Sequence, residues 1–212
     1  IKIFFKFILI IIILIININS KKRKLNSSFS DTDDLSKKDS EQQFNILSKD
    51  NEVYFYEDID TPQILELISH IKELQHELKN ISNPVIHLHI YSYGGDAHLG
   101  FSMYDFIKQS PIPIYTYVDG MIASAATFIY LAGHKRFMTE TSTVLIHQIS
   151  TEFWGKFEVL KDECKNMTHL MKVAKNIYAY NTTMKKKQID ELLKRELFLT
   201  YNECNEINFT KN

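Results

Sequence analysis

Three short stretches of this 212-residue sequence carry residue types whose placement could do chemistry. The first is Gly94-Gly95, between an apolar run and a helix-like run. Glycines at such a corner let the backbone approach a bound group, and free N–H groups at a helix start favour negative charge. An ordinary tight turn uses the same pair. The second is Gly120-Met121-Ile122-Ala123-Ser124-Ala125-Ala126. A serine heading an apolar helix commonly acts as its N-cap. Here its neighbours are small, which leaves room for a substrate backbone, and the N–H of Ala125 would point toward whatever Ser124 attacked. Cap and nucleophile both stay open on the residues alone. The third is His147, after Val144-Leu145-Ile146, one of eight histidines. A satisfied, partly buried histidine would look the same as a proton carrier. His87-x-His89 could reach a metal from one strand face, but no carboxylate or cysteine accompanies the pair in sequence, and no metal site is assigned.

The elements around these stretches are legible from period and punctuation. Val53–Tyr56 is strand-like, and Asp58, Asp60 and Pro62 mark a turn and a helix start. Apolar residues from Ile64 to Leu78 recur at helical spacing, and Asn80, Asn83 and Pro84 end that helix. Val85–Ile90 reads as a strand, Leu99–Ile107 as a helix and Pro113–Val118 as a strand running into a turn at Asp119-Gly120. A small apolar helix over Ala123–Ala132 and a strand over Thr143–Ile149 follow. From Gly155 to Tyr180 runs a long amphipathic helix. Phe157, Leu160, Cys164, Met167, Met171, Ala174 and Tyr178 form one stripe, with Lys161, Asp162, Lys165, Lys172 and Lys175 opposite. Such a seam predicts packing on another helix. A last helix over Lys187–Arg195 and a strand-like Leu197–Leu199 complete the pattern. Strands alternating with helices predict an α/β fold with a mostly parallel sheet.

Composition narrows the classes. Hydrophobic residues make up 44% and charged residues 24%, enough for one globular domain. A net charge of −1 gives no electrostatic footprint for nucleic acid. Cys164 and Cys204 are too few for a disulfide framework or a zinc site. The sequence divides into an apolar segment over residues 1–20, a polar linker over 21–45 and a domain over 46–212. The apolar segment reads either as a targeting or anchor sequence or as a gene-model artefact, which leaves membrane attachment open.

Taken in order, strand–Gly-Gly, small-residue turn–Ser124–apolar helix and strand–Ile-His-Gln resemble the ClpP family of serine peptidase subunits. The family's Asn-Ser-Pro-Gly-Gly stands here as Tyr91-Ser92-Tyr93-Gly94-Gly95. Its nucleophile segment stands as Gly120–Ala126, and its Met-Ile-His-Gln as Leu145-Ile146-His147-Gln148. The resemblance implies an α/β spiral of repeated ββα units, shared with crotonases, with a protruding handle helix after His147. It implies peptide hydrolysis by acyl transfer: Ser124 as nucleophile, His147 as general base, and the N–H groups of Gly95 and Ala125 as oxyanion hole. Glu196 falls where the family carries the third catalytic residue, an Asp, in Lys194-Arg195-Glu196-Leu197-Phe198. Glutamate can accept from an imidazole N–H as aspartate does, although its extra methylene shifts the carboxylate. Asn208 replaces a family glycine and can take the left-handed conformation.

The same resemblance implies no cofactor, self-association into seven-membered rings and double rings, unfolded polypeptides as substrates, and a separate AAA+ unfoldase. No G-x-x-x-x-G-K-[ST] phosphate loop occurs in this sequence. Cytoplasm or an organelle lumen is the expected compartment. Lys194 and Glu196 also fit an inactive, ClpR-like subunit of a mixed ring. An acyl-CoA enzyme of the crotonase type would not need Ser124 with His147, and a signal-peptide-degrading membrane peptidase would need a catalytic lysine, for which no residue stands out.

Overall fold

The computed structural model describes residues 46–211. The apolar segment 1–20, the linker 21–45 and Asn212 lie outside the described residues. The elements are β1 (Ile46–Lys49), β2 (Glu52–Phe55), α1 (Thr61–Leu78), β3 (Ile86–Ser92), α2 (Ala97–Lys108), β4 (Ile114–Ala123), α3 (Ala126–Leu131) and β5 (Lys135–Met138). There follow β6 (Thr143–Leu145), α4 (Phe157–Asn181), α5 (Lys186–Leu192), β7 (Phe198–Leu199) and α6 (Tyr201–Glu206). No helix among the described residues is long and apolar enough to cross a membrane.

The seven strands form one sheet in the order β1-β2-β3-β4-β6-β7, with β5 also on β4. β2, β3, β4, β5 and β6 pair in parallel, while β1 and β7 are antiparallel additions at the two ends. The α/β expectation therefore holds, and alternation explains the strand faces. In β3, Ile86, Leu88 and Ile90 are fully buried, while His87, His89 and Tyr91 lie on the other, partly open face. α1 begins as its sequence directs: Asp60 accepts from the Gln63 N–H, Pro62 sits in the first turn, and Ile64, Leu67, Ile71 and Leu74 are buried.

The turn expected at Asp119-Gly120 is instead a bulge within β4. Ile90 pairs with Val118 and Ser92 with Ile122, so Asp119, Gly120 and Met121 stand opposite Tyr91 alone. Gly120 takes φ +82°, a value glycine reaches without strain, which is why a turn signature appears inside a strand. The buried Ser142 repairs the irregular ladder. Its Oγ accepts from Gly120 N–H at 3.2 Å and donates to the Val118 carbonyl at 3.1 Å. On either side of the bulge β4 changes neighbour, from β5 along Tyr115–Val118 to β6 along Met121–Ala123.

β1, β5 and α6 had no clear sequence signal. β5 reads Lys-Arg-Phe-Met, and its one buried residue is a charged one, Arg136, only 3% exposed. That guanidinium donates to the carbonyls of Leu131, Asn181 and Asn208, tying together the ends of α3 and α4 and the turn after α6. Asn208 adopts φ +53°, the left-handed conformation that asparagine tolerates. The segment it turns lays Phe209, fully buried, on the ring of Tyr130 at 5.3 Å and bridges Lys211 to Arg136. Phe209→Ala is expected to lower stability by about 3–5 kcal/mol, measured as a fall in the urea midpoint of the full chain. An unchanged midpoint would show that this segment does not close the core.

Candidate active site

The end of β4 sets the first functional group. Ser124 follows the last strand residue, Ala123, and takes φ +54°, a left-handed conformation that costs a non-glycine residue about 1–2 kcal/mol. Its N–H donates to the Leu145 carbonyl on β6 at 2.9 Å, and its own carbonyl accepts from Thr127 N–H at 3.0 Å. These bonds hold the chain through a strand-to-helix corner. The side chain of Ser124 does not cap α3. The cap position is Ala125, and no side chain makes a cap bond there. Of the two readings the residues left open, the N-cap is therefore removed. Among the described residues, the hydrogen bonds of Ser124 are all made by its backbone.

Gly94 and Gly95 are packed against this corner. A Cβ on Gly94 would lie 2.7 Å from both the Ala123 carbonyl oxygen and Ser124 Cβ, and one on Gly95 would collide with the backbone of Ile59. The loop is fixed by Ile59 N–H to the Gly94 carbonyl at 2.7 Å, Asp96 N–H to the Ile59 carbonyl at 2.9 Å and Gly94 N–H to the buried Ser92 Oγ at 3.1 Å. The Gly95 N–H takes no part in that clamp. Gly95 and Ala125 face the same cavity, so two backbone donors border the space beside Ser124.

His147 reaches that cavity from the far end of β6. The antiparallel β6–β7 ladder ends at the pair Leu145–Phe198, and just beyond it His147 and Glu196 come near each other. His147 Nδ1 lies 3.7 Å from Glu196 Oε1, with the histidine side chain 18% and the glutamate side chain 72% exposed. That separation is an ion-pair distance but too long for a hydrogen bond. Lys194, two residues before Glu196, pairs with Glu191 at 2.9 Å.

Ser124, Ala125, Gly95 and His147 thus line one cavity of about 590 Å³. Its apolar wall is Phe128, Ile149, Phe153, Met167 and Leu170. His98 from α2 and Glu163, Asn166 and His169 from α4 add polar groups that the sequence reading had not singled out. Their signal was position: all three on α4 lie within a turn of Met167, which the apolar stripe had marked. That stripe divides in the structure. Ala174 and Tyr178 are buried in the body of the domain, whereas Phe157 and Cys164 are exposed.

The His87/His89 strand lies elsewhere, on the open face of the sheet. His89 stacks between Tyr54 and Tyr117 at 4.7 and 4.5 Å, and the fold brings it a carboxylate that the sequence did not suggest, Asp119 at 2.9 Å. Burial works to raise the Asp119 pKa, but hydrogen bonds from His89 and Tyr56 outweigh it and hold the carboxyl below its ordinary value. Among the described residues no group of three metal-ligating side chains occurs.

A strained serine corner at a strand end, a histidine on the same cavity and two adjoining backbone N–H groups form, on an α/β sheet, a grouping of the kind that acyl transfer uses. Comparison with known proteins narrows the class. The family model described as Clp protease matches residues 36–211. The ATP-dependent Clp protease proteolytic subunit of Cyanophora paradoxa is 26% identical over 175 residues, covering 82% of this chain and 89% of that protein. The ATP-dependent Clp protease proteolytic subunit 2 of Treponema denticola is 32% identical over 120 residues, covering 56% and 60%. The solved structure of a ClpP1 mutant from Listeria monocytogenes superposes with a TM-score of 0.67 at 25% identity, covering 76% of this chain and 88% of that one. The chain belongs to the Clp protease family, a family of serine peptidases.

The clamp on Gly95 gives a direct structural test. Gly95→Ala should destabilise the fold by about 1–3 kcal/mol, because neither φ +144° nor the Ile59 backbone accommodates a methyl group. Gly155→Ala, whose Cβ would meet only Val159 at 3.6 Å, should stay within about 0.5 kcal/mol. Equal urea midpoints for the two variants would contradict the clamp.

Proposed function

We propose that this chain is a catalytic subunit that hydrolyses peptide bonds of unfolded polypeptides. Ser124 Oγ attacks the carbonyl carbon of the scissile bond while His147 removes its proton. The N–H groups of Gly95 and Ala125 stabilise the oxyanion, donors of a kind worth about 3–4 kcal/mol each. His147 then gives the proton to the departing amine, and water repeats the sequence to free the acyl group. Glu196 faces Nδ1 of His147, favours the tautomer with its proton on that nitrogen, and draws closer when charge develops on the imidazole. The observation that carries the reading is the corner at Ser124: strained, without a capping role, and on the same cavity as His147 and two free backbone donors.

A second reading has its own support. Glu196 is largely exposed and 3.7 Å from His147, and Lys194 is engaged with Glu191, which fits a weak or inactive ClpR-like subunit of a mixed ring. One experiment separates the two. The full chain, Ser124→Ala and Glu196→Gln are treated with a fluorophosphonate probe, weighed by intact mass and assayed on a peptide substrate. The parent gains one adduct, Ser124→Ala gains none, and Glu196→Gln loses turnover by about 100-fold, the scale of a misplaced catalytic group. A parent that takes up no probe supports the inactive subunit, and full turnover in Glu196→Gln removes that residue from the mechanism.

Family members form oligomeric rings with AAA+ partners, and this chain is read as entering seven-membered rings, paired face to face and fed by an unfoldase. The first turns of α4 and the loop before it support an interface there: Trp154 is 99% exposed, Phe157 71% and Val159 50%. Burying a side chain of that size contributes roughly 1.5–3 kcal/mol. Phe157→Asp should therefore lower the mass of the assembly in light scattering. Parent and variant masses that agree at every concentration would exclude this surface.

A further inference from the structure

Behind the Ser124 corner two hydroxyls are buried side by side. Thr127, on α3, is fully buried, and Tyr178, on the inner half of α4, is 1% exposed. Thr127 Oγ1 donates to the Ser124 carbonyl at 2.6 Å and lies 2.8 Å from the Tyr178 hydroxyl. A threonine has a single hydroxyl proton. With that proton given to Ser124, the phenol must be the donor to Thr127, so the direction of the chain is fixed: Tyr178 to Thr127, Thr127 to Ser124. Burial pushes the phenol pKa well above its ordinary value, so Tyr178 remains a neutral donor. Serial hydroxyl bonds of this kind polarise and strengthen one another.

The consequence lies in the geometry of one peptide. The Ser124 carbonyl and the Ala125 N–H belong to the same planar, trans unit. A carbonyl drawn toward Thr127 turns that N–H the opposite way, away from the core and toward the cavity that Ala125 lines. The Ser124 carbonyl receives two donors from Thr127, the N–H at 3.0 Å and Oγ1 at 2.6 Å, at a residue whose φ of +54° needs holding.

We propose that Thr127 and Tyr178 are positioning residues for acyl transfer, a hydroxyl relay that aims the Ala125 N–H at the oxyanion and locks the turn carrying Ser124. The proposal rests on the peptidase reading above. It assigns the inner half of α4 a part in the chemistry, because the relay starts on that helix and ends on the peptide next to the nucleophile.

The test uses the full chain with Tyr178→Phe, Thr127→Val, Thr127→Ser and the double variant Thr127→Val/Tyr178→Phe. For each, the fluorophosphonate labelling rate, kcat and KM on a short fluorogenic peptide amide, light-scattering mass and urea midpoint are measured. Thr127→Val should lower kcat and labelling by about 10-fold, the effect of losing one of the two bonds that hold the Ser124–Ala125 peptide, with KM nearly unchanged. Tyr178→Phe should lower both by about 2- to 3-fold, since Thr127 then keeps its own bond to Ser124 but loses the polarising donor. Thr127→Ser should restore most of what Thr127→Val loses. The double variant should be no slower than Thr127→Val, because without the threonine hydroxyl the phenol no longer reaches Ser124. Parent kcat in Tyr178→Phe, multiplied losses in the double variant, or Thr127→Ser as slow as Thr127→Val would each overturn the relay. If Thr127→Val does not fold, Tyr178→Phe and Thr127→Ser still decide: loss in the former with near-parent rates in the latter upholds it, and any other pattern rejects it. A parent that takes up no probe overturns the peptidase reading itself, a result separate from any difference among the variants.

Discussion

β4 has two hydrogen-bonding edges and three neighbours. β3 occupies one edge, and the other is shared between β5 and β6, which pair with opposite ends of the strand. Sharing an edge requires a place where pairing can change, and the bulge over Asp119–Met121 is that place, its loosened backbone taken up by Ser142. The arrangement brings β6 against the last three residues of β4, so the Leu145 carbonyl is available to Ser124 N–H just where the strand ends. His147 then emerges two residues beyond that bond. The Ser124 corner and His147 are held by one short parallel ladder, and their relative position follows from the branching of the sheet.

Most of the fold was legible in period and punctuation, and the site less evenly. Ser124 and Gly94-Gly95 follow strand ends, which are marked in sequence by the break from alternating or apolar runs to small residues, whereas His147 lies two residues past β6 with no such break and was read from the family resemblance. β5 could not be read in that way because its buried side chain is Arg136, which earns its place by bonding three carbonyls rather than by being apolar. The Asp119-Gly120 pair was read as a turn because a positive φ is the property that turns and bulges share. The stripe on α4 carried two meanings in one period. Its inner residues pack into the domain, and the middle ones, such as Met167, border the cavity. Helical spacing marks a face but not what lies across from it.

Glu196 illustrates how a position can be fixed while an interaction is not. The β6–β7 pair at Leu145 and Phe198 delivers residues 147 and 196 to the same end of the ladder. The side chain that occupies the position stands in water and leaves 3.7 Å to the imidazole. An exposed carboxylate at that distance orients a histidine weakly, because solvent screens the attraction and the glutamate retains several rotamers. In this structure the backbone corner at Ser124 is the more tightly determined half of the site, with its carbonyl, its N–H and the adjoining glycines all engaged.

The closing segment at residues 208–211 bears on how the chain is made. A ribosome releases this sequence in order, and the edge of β5 is exposed from the time it emerges until Lys211 bridges to Arg136 some seventy residues later. Over that interval, several seconds at about 5–20 residues per second, Tyr130 lacks the ring that covers it and the β5 edge is open to other nascent chains. Lys135 and Arg136 at the start of that edge work against such pairing, since like charges on an open strand discourage a second copy from adding to it. The charged character that hides β5 from a reading by hydrophobicity also makes its open edge a poor template for a second copy.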